Sequence, residues 1–146
     1  MTRVILSLGS NLGDRRKNLD GALELLKEEL GPITSVTEYL NTASCGFSGP
    51  DFLNCIAVFQ TRRRPHTVLK ICKDIERRMG RTDTPEYDNE GRRIYRDRII
   101  DIDILFYGDR HIDTPDLTIP HPQVYSRPYI RELLETLFAG TPDVTP

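Results

Sequence analysis

At 146 residues and a net charge of −2, the chain is long enough for one domain with its own core and needs no disulfide or metal staple. An apolar fraction of 38% beside 29% charged residues is that of a globular protein, and no apolar run approaches the length of a membrane span. The charge balance lacks the basic excess that marks non-specific nucleic-acid binding, and Cys45, Cys55 and Cys72 are odd in number and without paired-ligand spacing, so neither a disulfide framework nor a zinc site is expected.

Val4, Leu6 and Leu8 alternate with Arg3, Ile5 and Ser7, which predicts a first strand running into the polar turn GSNLGD at 9–14. Such a start does not read as a signal peptide, and a cytoplasmic protein is expected. Leu19, Leu23, Leu26 and Leu30 recur at helical spacing, and Gly31-Pro32 supplies a C-cap glycine followed by a residue that cannot continue the helix. Residues 33–40 and 52–61 are rich enough in β-formers for a second and a third strand, separated by the loop NTASCGFSGPD.

Pro65 can open a second helix at its first turn. Val68, Cys72, Ile75 and Met79 form its inward stripe, and Gly80 stops it. Residues 82–97, TDTPEYDNEGRRIYRD, carry five acidic and three basic side chains with almost no apolar anchors, so a long exposed loop is expected, either an idle insertion or a mobile lid. RIIDIDILFYG at 98–108 predicts the fourth strand. The tail holds a short segment around Ile112, the turn-rich TIPHP at 118–122 and a last helix from Tyr129 to Phe138. The order strand, helix, strand, strand, helix, strand is that of a ferredoxin-like α+β sandwich, a mainly antiparallel sheet covered by helices, here with a C-terminal extension and forming one domain over 1–146.

The fourth strand poses a physical question, because Asp101 and Asp103 are threaded through isoleucines and a buried, unpaired carboxylate costs several kcal/mol. Alternation puts Asp101, Asp103 and Leu105 on one face and Ile100, Ile102, Ile104 and Phe106 on the other. Two carboxylates about 7 Å apart along one strand face can share a divalent cation or hold a pair of them. Oxygen ligation by few protein groups suits magnesium, whose other positions go to water and substrate phosphates.

Sixteen of the 20 basic residues are arginines, and seven of them (77, 78, 81, 92, 93, 96 and 98) precede or enter this strand. The guanidinium fork suits phosphate and carboxylate recognition, and metal ligands beside arginines occur where phosphoryl chemistry is done. GSNLGD lies between strand and helix but lacks the GK[ST] ending of a P-loop, so it reads as a structural turn with access to a ligand. Taken singly, His121, Phe52 and Asn54 are ambiguous between packing, capping and function.

Taken together, LGSNLGD, GPDFLN, IERRMGR, RIIDIDILFYG and TIPHP occur in the order and approximate spacing of the 6-hydroxymethyl-7,8-dihydropterin pyrophosphokinases of folate biosynthesis, which the chain resembles along essentially its whole length. The resemblance implies an enzyme that transfers the terminal pyrophosphate of ATP to the hydroxymethyl group of a reduced pterin and releases AMP. It implies that Asp101 and Asp103 hold two magnesium ions, and that Arg81 and Arg98 act with them in catalysis while contacting ATP. It also implies ATP contacts from Glu76, His121 and Arg127. Phe52 and Tyr129 resemble the aromatic pair that sandwiches the pterin, Asn54 the amide that reads it, and backbone around Thr42 and Cys45 completes its hydrogen bonds. A monomer, or at most a weak dimer, acting on small molecules is expected.

The chain departs from the family pattern where Tyr95, Arg96 and Asp97 replace a tryptophan-glycine-proline run, where Asp83 replaces a loop arginine, and at Pro122, where some members have tyrosine. Arg92, Arg93 or Arg96 can substitute as phosphate contacts. Two readings of other classes compete: a non-catalytic nucleotide- or pterin-binding module, and a magnesium-dependent phosphohydrolase or nucleotidyl transferase.

Overall fold

The structure, a computed structural model, describes residues 1–43, 51–80, 86–87, 89–91, 93–94 and 99–138. Its centre is β1 (Thr2–Ser10), which pairs antiparallel along its whole length with β4 (Phe52–Thr61), from Thr2 opposite Thr61 to Ser10 opposite Leu53. On its other side β1 pairs antiparallel with β7 (Asp101–Tyr107). Both central strands are almost continuously buried because helices cover both sheet faces, a pattern that would otherwise suggest a parallel sheet.

α1 (Arg15–Leu30) is capped by Asp14, whose side chain accepts from the Lys17 backbone N–H at 3.1 Å. Leu19, Ala22, Leu23, Leu26 and Leu30 face inward along it. It ends at Gly31, whose φ of +137° and closeness to the Gln60 carbonyl leave no room for a Cβ. The expected strand over 33–40 divides into β2 (Ile33–Val36) and β3 (Leu40–Thr42), both paired with β4. Thr37 makes the break: its N–H donates to the Ile56 carbonyl while its hydroxyl accepts from the Ile56 N–H, both at 2.9 Å, so a side chain substitutes for a ladder partner.

α2 (Pro65–Arg78) packs Val68, Cys72 and Ile75 beside α1 over one face of the sheet, with Met79 partly buried against them. In the segment expected to be a loop, β5 (Glu86–Tyr87) pairs antiparallel with β6 (Arg93–Ile94), so it contains a short hairpin. β8 (Ile112–Thr114) and β9 (Leu117–Ile119) form another hairpin, followed by α3 (Gln123–Ser126) and α4 (Pro128–Leu137).

The fourth strand differs from strict alternation at one point. Leu6 is opposite Ile104 but Ile5 is opposite Phe106, which makes Leu105 the extra residue of a bulge. Ile100, Ile102 and Ile104 pack under α1 and α2 as expected. Phe106, expected with them, instead packs with Leu105 in the second cluster, and Tyr107 takes its place in the first.

Candidate functional site

The second sheet face divides into two halves. Ile5, Ile56, Val58 and Leu105 are covered by Val124, Ile130, Leu133 and Leu134 of α3 and α4. Further along the same strands the residues turn polar or small. Register then fixes two cross-strand rows: Ile56, Ser7 and Asp103, and next to it Asn54, Gly9 and Asp101. Phe52, two residues before Asn54, and Thr42, opposite Phe52, share this face.

Asp101 and Asp103 are half-buried on the edge strand, where a cleft of about 340 Å³ runs between β7, α2 and the β8–β9 hairpin. Lys73, Glu76, Thr118 and His121 line it with the two aspartates. His121 Nε2 is 3.8 Å from Asp103 Oδ1. Its Nδ1 accepts from the Gln123 backbone N–H at 3.1 Å, so in the neutral ring the proton sits on Nε2, toward the carboxylate. The His121 N–H donates to the carbonyl of Leu105 at 3.0 Å, tying the turn after β9 to the bulge. Burial lowers the His121 pKa, and the charge of Asp101 opposes that shift without reversing it.

Glu76 is 2% exposed and accepts at 2.8 Å from the N–H of Ile102, between the two aspartates. Among the described residues no group of three or more His, Cys, Asp or Glu is placed to hold a metal. The donors offered by β7 are two carboxylates beside an open cleft, a set that fits magnesium, which keeps several positions for water and phosphate oxygens.

Across the sheet, Asn54 Nδ2 donates to Thr42 Oγ1 at 2.6 Å, and Asn54 is almost wholly buried. Phe52 is half-buried beside it. Tyr129, at the start of α4, shares a side-chain hydrogen bond with Ser7, and its ring carries the Arg127 guanidinium 5.2 Å from its centroid. Burial is the main influence raising the Tyr129 pKa. Asp103 and Asp101 add to it, while Arg127 and the Ser7 hydrogen bond oppose it. The phenol therefore senses both carboxylates.

The structure thus gathers Thr42, Phe52, Asn54, Tyr129, Asp101, Asp103, Glu76, His121 and Arg127 around one sheet end. Cys45, Arg81, Arg98, Arg92 and Arg96, and the side chain of Arg93, lie outside the described residues. The turn at 9–14 is held from within: Asn18 Nδ2 donates to Ser10 Oγ at 3.1 Å and to the Leu12 carbonyl at 2.8 Å. Sequence reasoning passed over Ser7, Gly9 and Lys73. Only Ser7, a hydroxyl in an apolar strand, carried a signal. It also passed over Arg15, whose guanidinium donates to Asn41 Oδ1 at 2.8 Å and the Asp51 carbonyl at 2.9 Å, on either side of the β3–β4 connection.

Comparison with known proteins gives a consistent result. The model of the family described as 7,8-dihydro-6-hydroxymethylpterin-pyrophosphokinase (HPPK) matches residues 5–139. A 2-amino-4-hydroxy-6-hydroxymethyldihydropteridine pyrophosphokinase of Porphyromonas gingivalis is 40% identical over 133 residues, which are 90% of this chain and 87% of that protein. The mitochondrial folate synthesis bifunctional protein of Pisum sativum is 38% identical over 141 residues, 96% of this chain but 26% of that protein. Among solved structures, a Plasmodium falciparum HPPK-DHPS superposes with a TM-score of 0.69 at 18% identity, over 93% of this chain and 38% of that one, a likeness of fold. Among the described residues no helix is long and apolar enough to cross a membrane.

Proposed function

Because the chain belongs to the 7,8-dihydro-6-hydroxymethylpterin-pyrophosphokinase family, we infer that it transfers the terminal pyrophosphate of ATP to the hydroxymethyl group of 6-hydroxymethyl-7,8-dihydropterin, releasing AMP, in folate biosynthesis. The observation in the chain itself that carries this reading is the row Asn54, Gly9, Asp101, which sets an amide and an aromatic corner on the same open sheet end as two carboxylates. A flat heterocycle with a polar edge and a polyphosphate are the two ligand chemistries those halves suit.

In this transfer the substrate hydroxyl oxygen bonds to the β-phosphorus, the bond from that phosphorus to the α,β-bridging oxygen breaks, and AMP leaves as the hydroxyl proton is released. A primary alcohol is a weak nucleophile, so alignment and charge stabilisation must supply most of the rate. Phe52 and Tyr129 are proposed to hold the pterin ring between them. Asn54, with backbone around Thr42 and Cys45, would fix its edge. Asp101 and Asp103 would hold two magnesium ions, which when bound supply neutralising charge to the polyphosphate. Arg81, Arg98, Arg127, His121 and Glu76 are the proposed ATP neighbours, with Arg81 and Arg98 placed to meet charge that moves during transfer. We propose that this happens in one domain over 1–146, acting as a cytoplasmic monomer on small-molecule substrates.

Incubation with ATP, magnesium and the hydroxymethyl dihydropterin tests the reading, with AMP and the pterin pyrophosphate as expected products. ADP or inorganic phosphate as the main product would point to a hydrolase or another transferase, and binding without turnover to a non-catalytic module.

A further inference from the structure

Gly9 is the one member of the row Asn54, Gly9, Asp101 without a side chain, and its backbone gives no reason for that. It is not among the described glycines with positive φ, and it lies inside a regular strand, where glycine packs nothing and weakens the ladder. What a side chain there would meet is specific: a Cβ on Gly9 would lie 2.8 Å from Asn54 Oδ1 and 3.3 Å from Phe52 Cδ1. Both neighbours are proposed pterin contacts, and in both the atom met belongs to a side chain.

The amide is held from its other end, since Asn54 Nδ2 donates to Thr42 Oγ1 at 2.6 Å. Moving Oδ1 away from a methyl at position 9 therefore turns the amide against that bond. The same Gly9 separates Asn54 from Asp101 across two strand spacings, about 9–10 Å, which is the span a substrate must cross between the amide and the carboxylates.

We propose that Gly9 is a specificity-determining position of the pterin site: the missing side chain lets the Asn54 amide lie over β1 in its reading orientation and keeps the floor toward Asp101 open for the hydroxymethyl arm. Gly9 acts through Asn54 and Phe52. This rests on the function proposed above.

The test compares the full-length parent with Gly9→Ala, Asn54→Ala and the double variant. Each is titrated with 6-hydroxymethyl-7,8-dihydropterin in the presence of magnesium and a non-hydrolysable ATP analogue, and separately with the analogue alone. Gly9→Ala should fold with an unchanged or higher thermal midpoint, bind the pterin about tenfold more weakly, and keep its affinity for the analogue within about twofold. In the Asn54→Ala background, where the clashing oxygen is gone, the same change should cost less than about threefold.

Unchanged pterin affinity in Gly9→Ala, or an equal loss in both backgrounds, would overturn the proposal. So would an equal loss of analogue affinity, or a Gly9→Ala that fails to fold while the double variant folds no better, because the clash would then extend beyond the end of a side chain. A parent that forms no AMP and pterin pyrophosphate sinks the proposed function itself. An active parent with an indifferent Gly9→Ala sinks only this inference.

Discussion

The carboxylate of Glu76 accepts a hydrogen bond of 2.8 Å from the backbone N–H of Ile102, the residue that separates Asp101 from Asp103. β7 is the outer strand of its sheet, so alternate N–H groups along it face away from β1 and need partners elsewhere. A glutamate that is 2% exposed meets this one from α2 and thereby fixes the helix against the strand that carries both aspartates.

Replacing that acceptor should therefore act on stability first. Glu76→Ala should lose about 1–3 kcal/mol in urea unfolding, the cost of a buried donor deprived of its partner. Glu76→Gln keeps an acceptor oxygen and should lose clearly less. Equal losses for the two variants would show that the carboxylate's charge, and not its bond to Ile102, holds the strand.

Asp101→Ala and Asp103→Ala should each cut turnover by roughly 10²-fold or more, the scale for losing one contact to transition-state charge. Both side chains are half-buried on the open end of the face, so the unfolding midpoint should move little. Rates are to be measured against magnesium concentration. Near-parent activity in either variant would remove that aspartate from the proposed metal site.

His121 sets a pH dependence whose direction is fixed by burial. Its folded pKa lies below the ordinary 6.5, so between the two values the unfolded chain binds a proton that the native chain refuses. Stability of the metal-free protein should thus fall as pH is lowered through 6.5 toward the folded value, and be independent of this group above 6.5. Thermal melts in a chelator at successive pH values should show a steeper acid loss for the parent than for His121→Gln. Parallel curves would contradict the shift.

Cys55 and Cys72 should be inert in the native state. Burial pushes the Cys55 thiol up to about 12 and raises that of Cys72 further, so neither supplies thiolate near neutral pH. Peptide mapping after iodoacetamide treatment at pH 8 should find both unmodified until denaturant is added. Native labelling at either position would mean that this part of the core opens readily.

How much of this was legible in the sequence varies with the range of the interactions. The leucine repeat of α1, its Asp14 and Gly31 ends, the Pro65 start of α2 and the alternation of β1 are local signals, and each corresponds to an element of the structure. The break at Thr37 was hidden, because it depends on a hydroxyl meeting the N–H of Ile56 across the sheet. The position of Phe106 was hidden for a similar reason: a bulge is a mismatch between two strands and has no signature in one of them.

The sequence by itself determined the ferredoxin-like order of elements, the oddity of two aspartates in an isoleucine strand and, through five ordered motifs, the family. Those follow from spacing along one chain, where covalent geometry sets which side chains share a face. Only the tertiary structure decided that α3 and α4 cover half of the second face and leave the other half open, that Glu76 secures the strand between its aspartates, and that Gly9 stands between Asn54 and Asp101. These depend on register and packing between residues distant in sequence, which chain-local periodicity does not encode.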